Sequence, residues 1–237
     1  MGEEVPCGQE EEEQEESEEE EKQELTEEMV TEGKLEELRR MEEFGVFEAV
    51  DREGVTKEKL RITTRWEIRA KTVKGETTAR ARYVAREFKT ADPWRTDLFA
   101  PSSGVSTSRV AGALAVRNDW PTMGVGISSA FFHAPEKTEV YVEPPVEWVE
   151  VDPENRRDKL WRLRKQLHGR RKAPQEWLEH AAGVLKQEGF RQCAEMPCFF
   201  HHSSKDVTVE LHMDDFHTTG PRTQLEWLGE ALSLIHI

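Results

Sequence analysis

The stretch TVELHMDDFHTTG, residues 208–220, alternates apolar and polar side chains up to two adjacent aspartates and resumes after them. This pattern predicts a β-hairpin with Asp214 and Asp215 at its tip. Two like charges about 4 Å apart repel by roughly 1 kcal/mol even in water, so the pair needs full solvation or an offsetting partner. Aspartate is also a common turn residue. The stretch alone therefore leaves a solvated turn and a cation site as open interpretations.

The acidity of the chain is concentrated at its beginning. The 237 residues contain 48 acidic and 33 basic side chains, a net charge of −15. Residues 1–45 hold 20 of the acids and 4 of the bases, which leaves 28 acids and 29 bases in the rest. Because the remainder is nearly neutral, the overall charge does not exclude a nucleic-acid partner.

Residues 1–33 are rich in glutamate and contain little that could be buried. We expect an acidic, low-complexity, disordered tail there and a folded domain over residues 34–237. No stretch approaches the roughly 20 apolar residues of a membrane span, and no leader pattern is present. The cysteines, Cys7, Cys193 and Cys198, are odd in number and lack metal-ligand spacing. These features predict a soluble intracellular protein with reduced thiols and no membrane partner, either cytoplasmic or nuclear.

Helical and strand patterns are mixed along the folded part, which predicts an α+β domain. Helical patterns cover residues 33–45, 106–119 and 167–190, the last with an apolar stripe through Trp177, Ala181, Val184 and Leu185. Residues 63–71 and 77–88 read as two strands around a glycine-containing turn.

The second of these strands carries a basic stripe. Arg80, Arg82 and Arg86 fall on one face, and the other face holds Ala79, Ala81, Tyr83 and Ala85. Such a stripe fits a phosphate-bearing ligand, and it fits an ordinary solvated strand face equally well.

Six segments occur in the same order, and at similar separations, as blocks of the copia-type retrotransposon reverse transcriptases: ARARYVAREF, DLFAPSSGVSTSRVAGALA, SSAFFHAPEKTEVYVEPP, LWRLRKQLHGRRKAPQEW, EGFRQCAEMPCFF and ELHMDDFHTTG. The chain resembles this family over about residues 34–232. The resemblance implies an RNA-directed DNA polymerase with right-hand fingers and palm, in which an antiparallel palm sheet carries helices on one face.

The resemblance also implies the chemistry and its residues. Two Mg²⁺ ions would support transfer of a dNTP onto a primer 3′-hydroxyl, held by the carboxylates of Asp214 and Asp215. The partners would be an RNA or DNA primer–template and the dNTP. The implied substrate and template contacts are Arg80, Arg82 and Arg86 in the fingers, Phe131 as the aromatic residue that excludes a 2′-hydroxyl, and Gly169, Arg171 and Lys172 beside the nascent pair.

Several positions depart from the family pattern. Gly126 stands where the family places the third metal-binding aspartate, His212 replaces a tyrosine, and the usual LYGLKQAP reads LHGRRKAP here. The final SLIHI does not continue the pattern, and no thumb or RNase H segment follows. From these departures we expect a truncated and defective copy.

Two alternatives remain open. The first is a non-catalytic pseudo-polymerase that keeps the basic groove and binds nucleic acid without chemistry. The second is a His/Asp metal enzyme with ligands from His201, His202, His212, Asp214 and His217, although alternating residues of a hairpin point to opposite faces. The sequence does not indicate an oligomeric state.

Overall fold

The structure, a computed structural model, describes residues 25–56, 59–89, 93–96 and 98–234. The helices are α1 (Glu27–Glu43), α2 (Val105–Asn118), α3 (Ala130–His133), α4 (Val146–Val151), α5 (Pro153–Arg156), α6 (Ala173–Gln187) and α7 (Arg222–Leu234). The strands are β1 (Phe47–Asp51), β2 (Leu60–Ile62), β3 (Thr64–Val73), β4 (Glu76–Ala85), β5 (Thr122–Gly126), β6 (Val140–Val142), β7 (Lys159–Leu163), β8 (Arg191–Gln192), β9 (Phe199–His202), β10 (Val207–His212) and β11 (Asp215–Thr219). This mixture confirms the predicted α+β class.

A five-stranded antiparallel sheet in the order β5-β11-β10-β9-β8 forms the larger half of the fold. One face of this sheet buries Val207, Val209 and Leu211 in a core shared with α6 and α7. The apolar stripe predicted for α6 is buried, as expected for a helix that packs its periodic face on a sheet. Burial of this face selects the register, since a shift of one residue would turn every apolar side chain of β10 to the other side.

The opposite face of the same sheet is covered by α2, which corrects the expectation of helices on one face. Glu210 alternates with the apolar residues of β10 and therefore points away from α6. It is only 3% exposed, and its carboxylate accepts a hydrogen bond of 2.8 Å from the Ser108 hydroxyl on α2. The sequence predicted a helix over residues 106–119, but it did not show which face of the sheet the helix would cover.

A smaller mixed sheet has the order β1-β7-β6-β2, with β2 and β6 parallel. Its core is built around Trp161, which is fully buried and stacks on Phe47 with ring centroids 3.7 Å apart. Leu38 and Met41 of α1 join this core. The N-terminal helix is thereby part of the folded domain.

The predicted hairpin around Gly75 is confirmed as β3–β4, which we call the basic hairpin. Lys74 and Gly75 both have positive φ, 53° and 84°, as the tightest hairpin turns require. Helix α1 packs along the free edge of β4, so closely that a Cβ on Gly33 would lie 2.3 Å from the Ala79 carbonyl oxygen. Only glycine permits this approach.

The first helix of the described residues starts before the predicted boundary between tail and domain, at residues 33 and 34. Helix α1 begins at Glu27, where the Thr26 hydroxyl accepts a hydrogen bond of 3.2 Å from the Met29 N–H. Packing against β4 stabilises this first part of the helix despite its glutamates, and Gly45 follows the helix end with φ +59°. Residues 1–24, where most of the predicted tail falls, lie outside the described residues. No helix in the described part is long and apolar enough to cross a membrane.

Candidate active site

The two aspartates lie at the tip of the β10–β11 hairpin, which we call the aspartate hairpin. Met213 takes a positive φ of 54° and turns the chain there. Two hydrogen bonds hold the tip: the Trp177 indole N–H donates to the Met213 carbonyl at 2.7 Å, and the Ile127 N–H donates to the Asp214 carbonyl at 2.8 Å. The backbone that carries both carboxylates is therefore held by α6 on one side and by the end of β5 on the other.

Gly126 lies directly opposite Asp215 in the pairing of β5 with β11. A Cβ at position 126 would lie 3.3 Å from the Asp215 carboxylate oxygen, so a side chain there would enter the aspartate site. A site for two metal ions needs carboxylates that bind both cations. Here the tip of the aspartate hairpin supplies two carboxylates, and the neighbouring end of β5 supplies none. No group of three or more His, Cys, Asp or Glu side chains in the described ranges is placed to hold a metal ion. The residues present do not fit the two-ion set that the family resemblance implies.

A pocket of about 440 Å³ opens between the aspartate hairpin, the basic hairpin and α1. It brings together Asp214, Arg80, Arg82 and Phe131, four of the residues singled out in the sequence. The cavity is thus lined by two guanidinium groups, a carboxylate and an aromatic ring. This combination suits a ligand that has both an anionic part and a flat part.

The register of the basic hairpin adds basic residues that the sequence reasoning missed. Arg69 lies directly opposite Arg80, and Lys71 lies opposite Thr78, so the β3 residues share the face of Arg80 and Arg82. The pKa of Arg82 is lowered, first by burial and then by the nearby Arg80. The signal was present in TRWEIRAK, where basic residues alternate, but only strand pairing shows that both stripes share one face.

Glu37 of α1 also lines the pocket, and nothing in the sequence indicated it. Its side chain is buried, and its Oε1 atom has no hydrogen-bond partner. Burial raises the pKa of this carboxyl, an effect that Arg40 and Arg82 oppose. Its Oε2 atom lies 3.7 Å from the Arg40 guanidinium of the same helix.

His168 contacts the Phe131 ring, with centroids 5.1 Å apart, and lines the same pocket. Burial, followed by the nearby Arg82 and Arg80, lowers its pKa from 6.5 to about 4. The folded protein therefore holds a neutral imidazole well below the pH at which the unfolded chain protonates it.

We expect His168→Gln to weaken the acid sensitivity of folding. Between pH 6.5 and about 4 the unfolded state binds the extra proton, so stability falls as the pH is lowered through this range. From pH 7.5 to pH 5, the free energy of unfolding of the wild-type protein should fall by up to about 2 kcal/mol more than that of the variant. Urea unfolding at the two pH values measures the difference. An equal fall in the free energy of unfolding for the two proteins would contradict the lowered pKa of His168 in the folded state.

Arg86 and Gly169 lie outside the main pocket. Arg86 follows the end of β4 and lies over the Phe88 ring at 5.3 Å. It lines a neighbouring cleft together with Gly169, and Arg82 and His168 line both cavities. Gly169 has φ +81°, and a Cβ there would lie 2.0 Å from the Ala85 carbonyl oxygen, so its backbone conformation and packing require glycine.

Arg171 and Lys172 precede α6, where Lys172 is the residue before the first helical turn. Both are half-buried, and neither lines the pocket of Asp214. Their predicted contact with a template stays a prediction.

The neighbouring Arg170 is the most buried charged residue of this segment. Its guanidinium has no exposed surface and forms ion pairs with Glu87 at 2.6 Å and Glu136 at 2.8 Å. Glu87 also pairs with Arg95 at 2.8 Å. Arg170, one of the basic residues in the LHGRRKAP segment, therefore connects the end of β4 to the loop before α6. Its charge is directed to these carboxylates and not to a ligand.

The hypothetical His/Asp metal site is not assembled. His201 and His202 pair with Thr208 and Val207 at the base of β10, whereas His212 and Asp214 lie at its other end. Five residues of strand separate these ends by about 17 Å, far beyond the reach of a shared metal ion. His212 instead shares a hydrogen bond of 2.8 Å with Ser103.

Comparison with known proteins gives consistent matches. Residues 45–230 match the family described as "Reverse transcriptase (RNA-dependent DNA polymerase)". The chain is 31% identical over 144 residues to the "Truncated transposon Ty1-A Gag-Pol polyprotein" of Saccharomyces cerevisiae. The aligned residues make up 60% of this chain and 11% of the relative. It is 31% identical over 148 residues to the "Transposon Ty1-ER2 Gag-Pol polyprotein" of the same organism. That alignment covers 60% of this chain and 8% of the relative. The match thus spans about a tenth of the length of these relatives.

Proposed function

Because this chain belongs to the reverse transcriptase (RNA-dependent DNA polymerase) family, in its copia type, we propose that it binds a primer–template and a dNTP in the pocket of Asp214. The five-stranded sheet would be the palm, and the basic hairpin would be part of the fingers. Palm and fingers would form one domain that begins with α1. The single observation that carries the proposal is that Asp214, Arg80, Arg82 and Phe131 line one cavity. We also propose an intracellular site of action, since both ligands are intracellular.

The pocket residues have separate roles in this proposal. Arg80 and Arg82 contact phosphates of both the dNTP and the template strand, because guanidinium groups donate paired hydrogen bonds to phosphate oxygens. Phe131 packs against the sugar and leaves no room for a 2′-hydroxyl. Asp214 and Asp215 are the carboxylates available for Mg²⁺, which in this family would stabilise the charge that develops during phosphoryl transfer.

Gly126 favours a second candidate, a pseudo-polymerase that binds nucleic acid without extending it. With a glycine opposite Asp215, the site lacks the carboxylate that would complete it. The two candidates share the binding step and differ only in chemistry. Metal-dependent extension of a primed template separates them, and we expect the unmodified chain to extend very little.

We expect the shared binding step to depend on salt through Arg80 and Arg82. Each phosphate contact on duplex DNA adds about 0.9 to the slope of log affinity against log salt. Replacing both arginines with alanine should therefore lower that slope by about 1.8. Arg117→Ala, which removes an exposed arginine from the end of α2, is the matched control and should leave the slope unchanged. Equal slopes for the double variant and the control would contradict the proposed interface.

A further inference from the structure

The basic hairpin presents an excess of positive charge on its outer face. The paired strands place five basic residues and two acidic residues there: Arg65, Arg69, Lys71, Arg80 and Arg82, with Glu67 and Glu76. Arg69 and Arg80 are exposed and directly opposite each other, an arrangement that destabilises a strand pair. Among the described residues, Arg69, Arg80 and Arg82 form no ion pair with a carboxylate, whereas Arg65 pairs with Glu67 at 2.5 Å. The face therefore leaves three arginines available to an anionic partner.

The same chain contains a segment of opposite charge close in sequence. Residues 10–21 contain ten glutamates and no basic residue. The segment precedes α1, whose first turns line a cleft with Lys71, Thr78 and Arg80 of the basic hairpin. The charge of the segment is complementary to that of the outer face, and α1, to which the segment is attached, lies beside the basic hairpin.

The distances allow the contact. From Glu27 at the start of α1 to Glu37 beside Arg80 and Arg82, the helix covers about 15 Å. An extended chain spans about 3.3 Å per residue, so about five residues cover the same distance. Residues 10–21 can therefore reach the full length of the basic face.

We propose that the glutamate run of residues 10–21 binds the outer face of the basic hairpin in its own chain and competes there with nucleic acid. The identity of the competitor rests on the proposed function, and the contact itself does not. Tethering places the glutamates at an effective concentration in the millimolar range, which a free polyanion must overcome. Since the segment offers charge and almost no apolar surface, its binding weakens as salt screens the contact.

The first test compares the full chain with a full-length variant in which the ten glutamates of residues 10–21 are glutamine. Binding of a primer–template duplex is measured by fluorescence anisotropy at about 50 mM and about 500 mM salt. The neutral variant should bind about tenfold more tightly at low salt and equally at high salt. Replacing Arg69 and Arg80 with alanine should remove most of the difference, and Arg117→Ala should preserve it. Equal affinities at low salt would overturn the competition.

The second test detects the contact without nucleic acid. A carbodiimide, which couples carboxylates to amines with no spacer, should join the glutamate run to the exposed Lys71 within one chain. Lys186, exposed at the end of α6, is the control and should not be joined. Absence of the Lys71 product, or a product only between chains, would overturn the proposal. If neither protein binds duplex, the proposed function fails, and crosslinking alone decides whether the contact forms.

Discussion

Replacing Gly126 with aspartate is expected to raise Mg²⁺-dependent nucleotide incorporation about a thousandfold over the unmodified chain. The new carboxylate would enter the space beside Asp215, where a Cβ at position 126 lies 3.3 Å from the carboxylate oxygen. Asp215 is exposed, so its side chain can move by the few tenths of an ångström that the contact requires. A missing metal carboxylate removes about 4 kcal/mol of transition-state stabilisation, which corresponds to this factor in rate. Single-nucleotide extension of a labelled primer measures the gain.

The same strand offers a matched control. Gly124 is two residues earlier on the same face, opposite His217, and a side chain there would meet open space. Gly124→Asp adds the same charge away from Asp215 and should leave incorporation unchanged. Adding Asp214→Asn to Gly126→Asp should abolish the gain, because the carboxylates act as one unit.

A second readout does not depend on turnover. Three carboxylates at one place repel one another, so Gly126→Asp should unfold at a lower temperature without divalent cations. Mg²⁺ should raise its melting temperature more than that of the unmodified chain. Strong incorporation by the unmodified chain, or a gain that survives Asp214→Asn, would contradict the role assigned to Gly126.

Arg170→Leu is expected to lower the free energy of unfolding by about 3–5 kcal/mol. The substitution leaves Glu136, whose side chain is 1% exposed, and Glu87, 12% exposed, without their buried cation. Glu87 keeps its ion pair with Arg95, but the Glu136 carboxylate loses its buried cation, and an uncompensated buried carboxylate is more unfavourable than the loss of the ion pairs themselves. Urea unfolding followed by tryptophan fluorescence measures the change.

Two variants test the cause of this loss. Arg164→Leu removes an arginine that pairs with Glu48 at the surface, where both side chains are about half exposed, and should change stability by less than about 1 kcal/mol. Adding Glu87→Gln and Glu136→Gln to Arg170→Leu removes the uncompensated charge and should restore more than half of the loss. A triple variant no more stable than Arg170→Leu would show that packing, and not charge, causes the effect.

Local patterns in the sequence were sufficient for the elements that carry the site. Alternation over residues 208–220 predicted the aspartate hairpin, and alternation in β4 predicted the faces of Arg80 and Arg82, both of which the structure confirms. The stripe through Trp177 and Leu185 predicted the buried face of α6. These predictions succeed because strand and helix periods are properties of a few consecutive residues.

Relations between distant segments required the tertiary structure. The sequence contains a glycine at 126, but only the pairing of β5 with β11 places it opposite Asp215. Strand pairing likewise sets Arg69 against Arg80, and packing of α1 brings Glu37 to the pocket. In the sequence, Arg170 is one of two adjacent arginines, and its burial depends on Glu87 and Glu136, far away in the chain. Which faces meet is decided by the total apolar area that each packing removes from water, a sum over the whole domain that no short window contains.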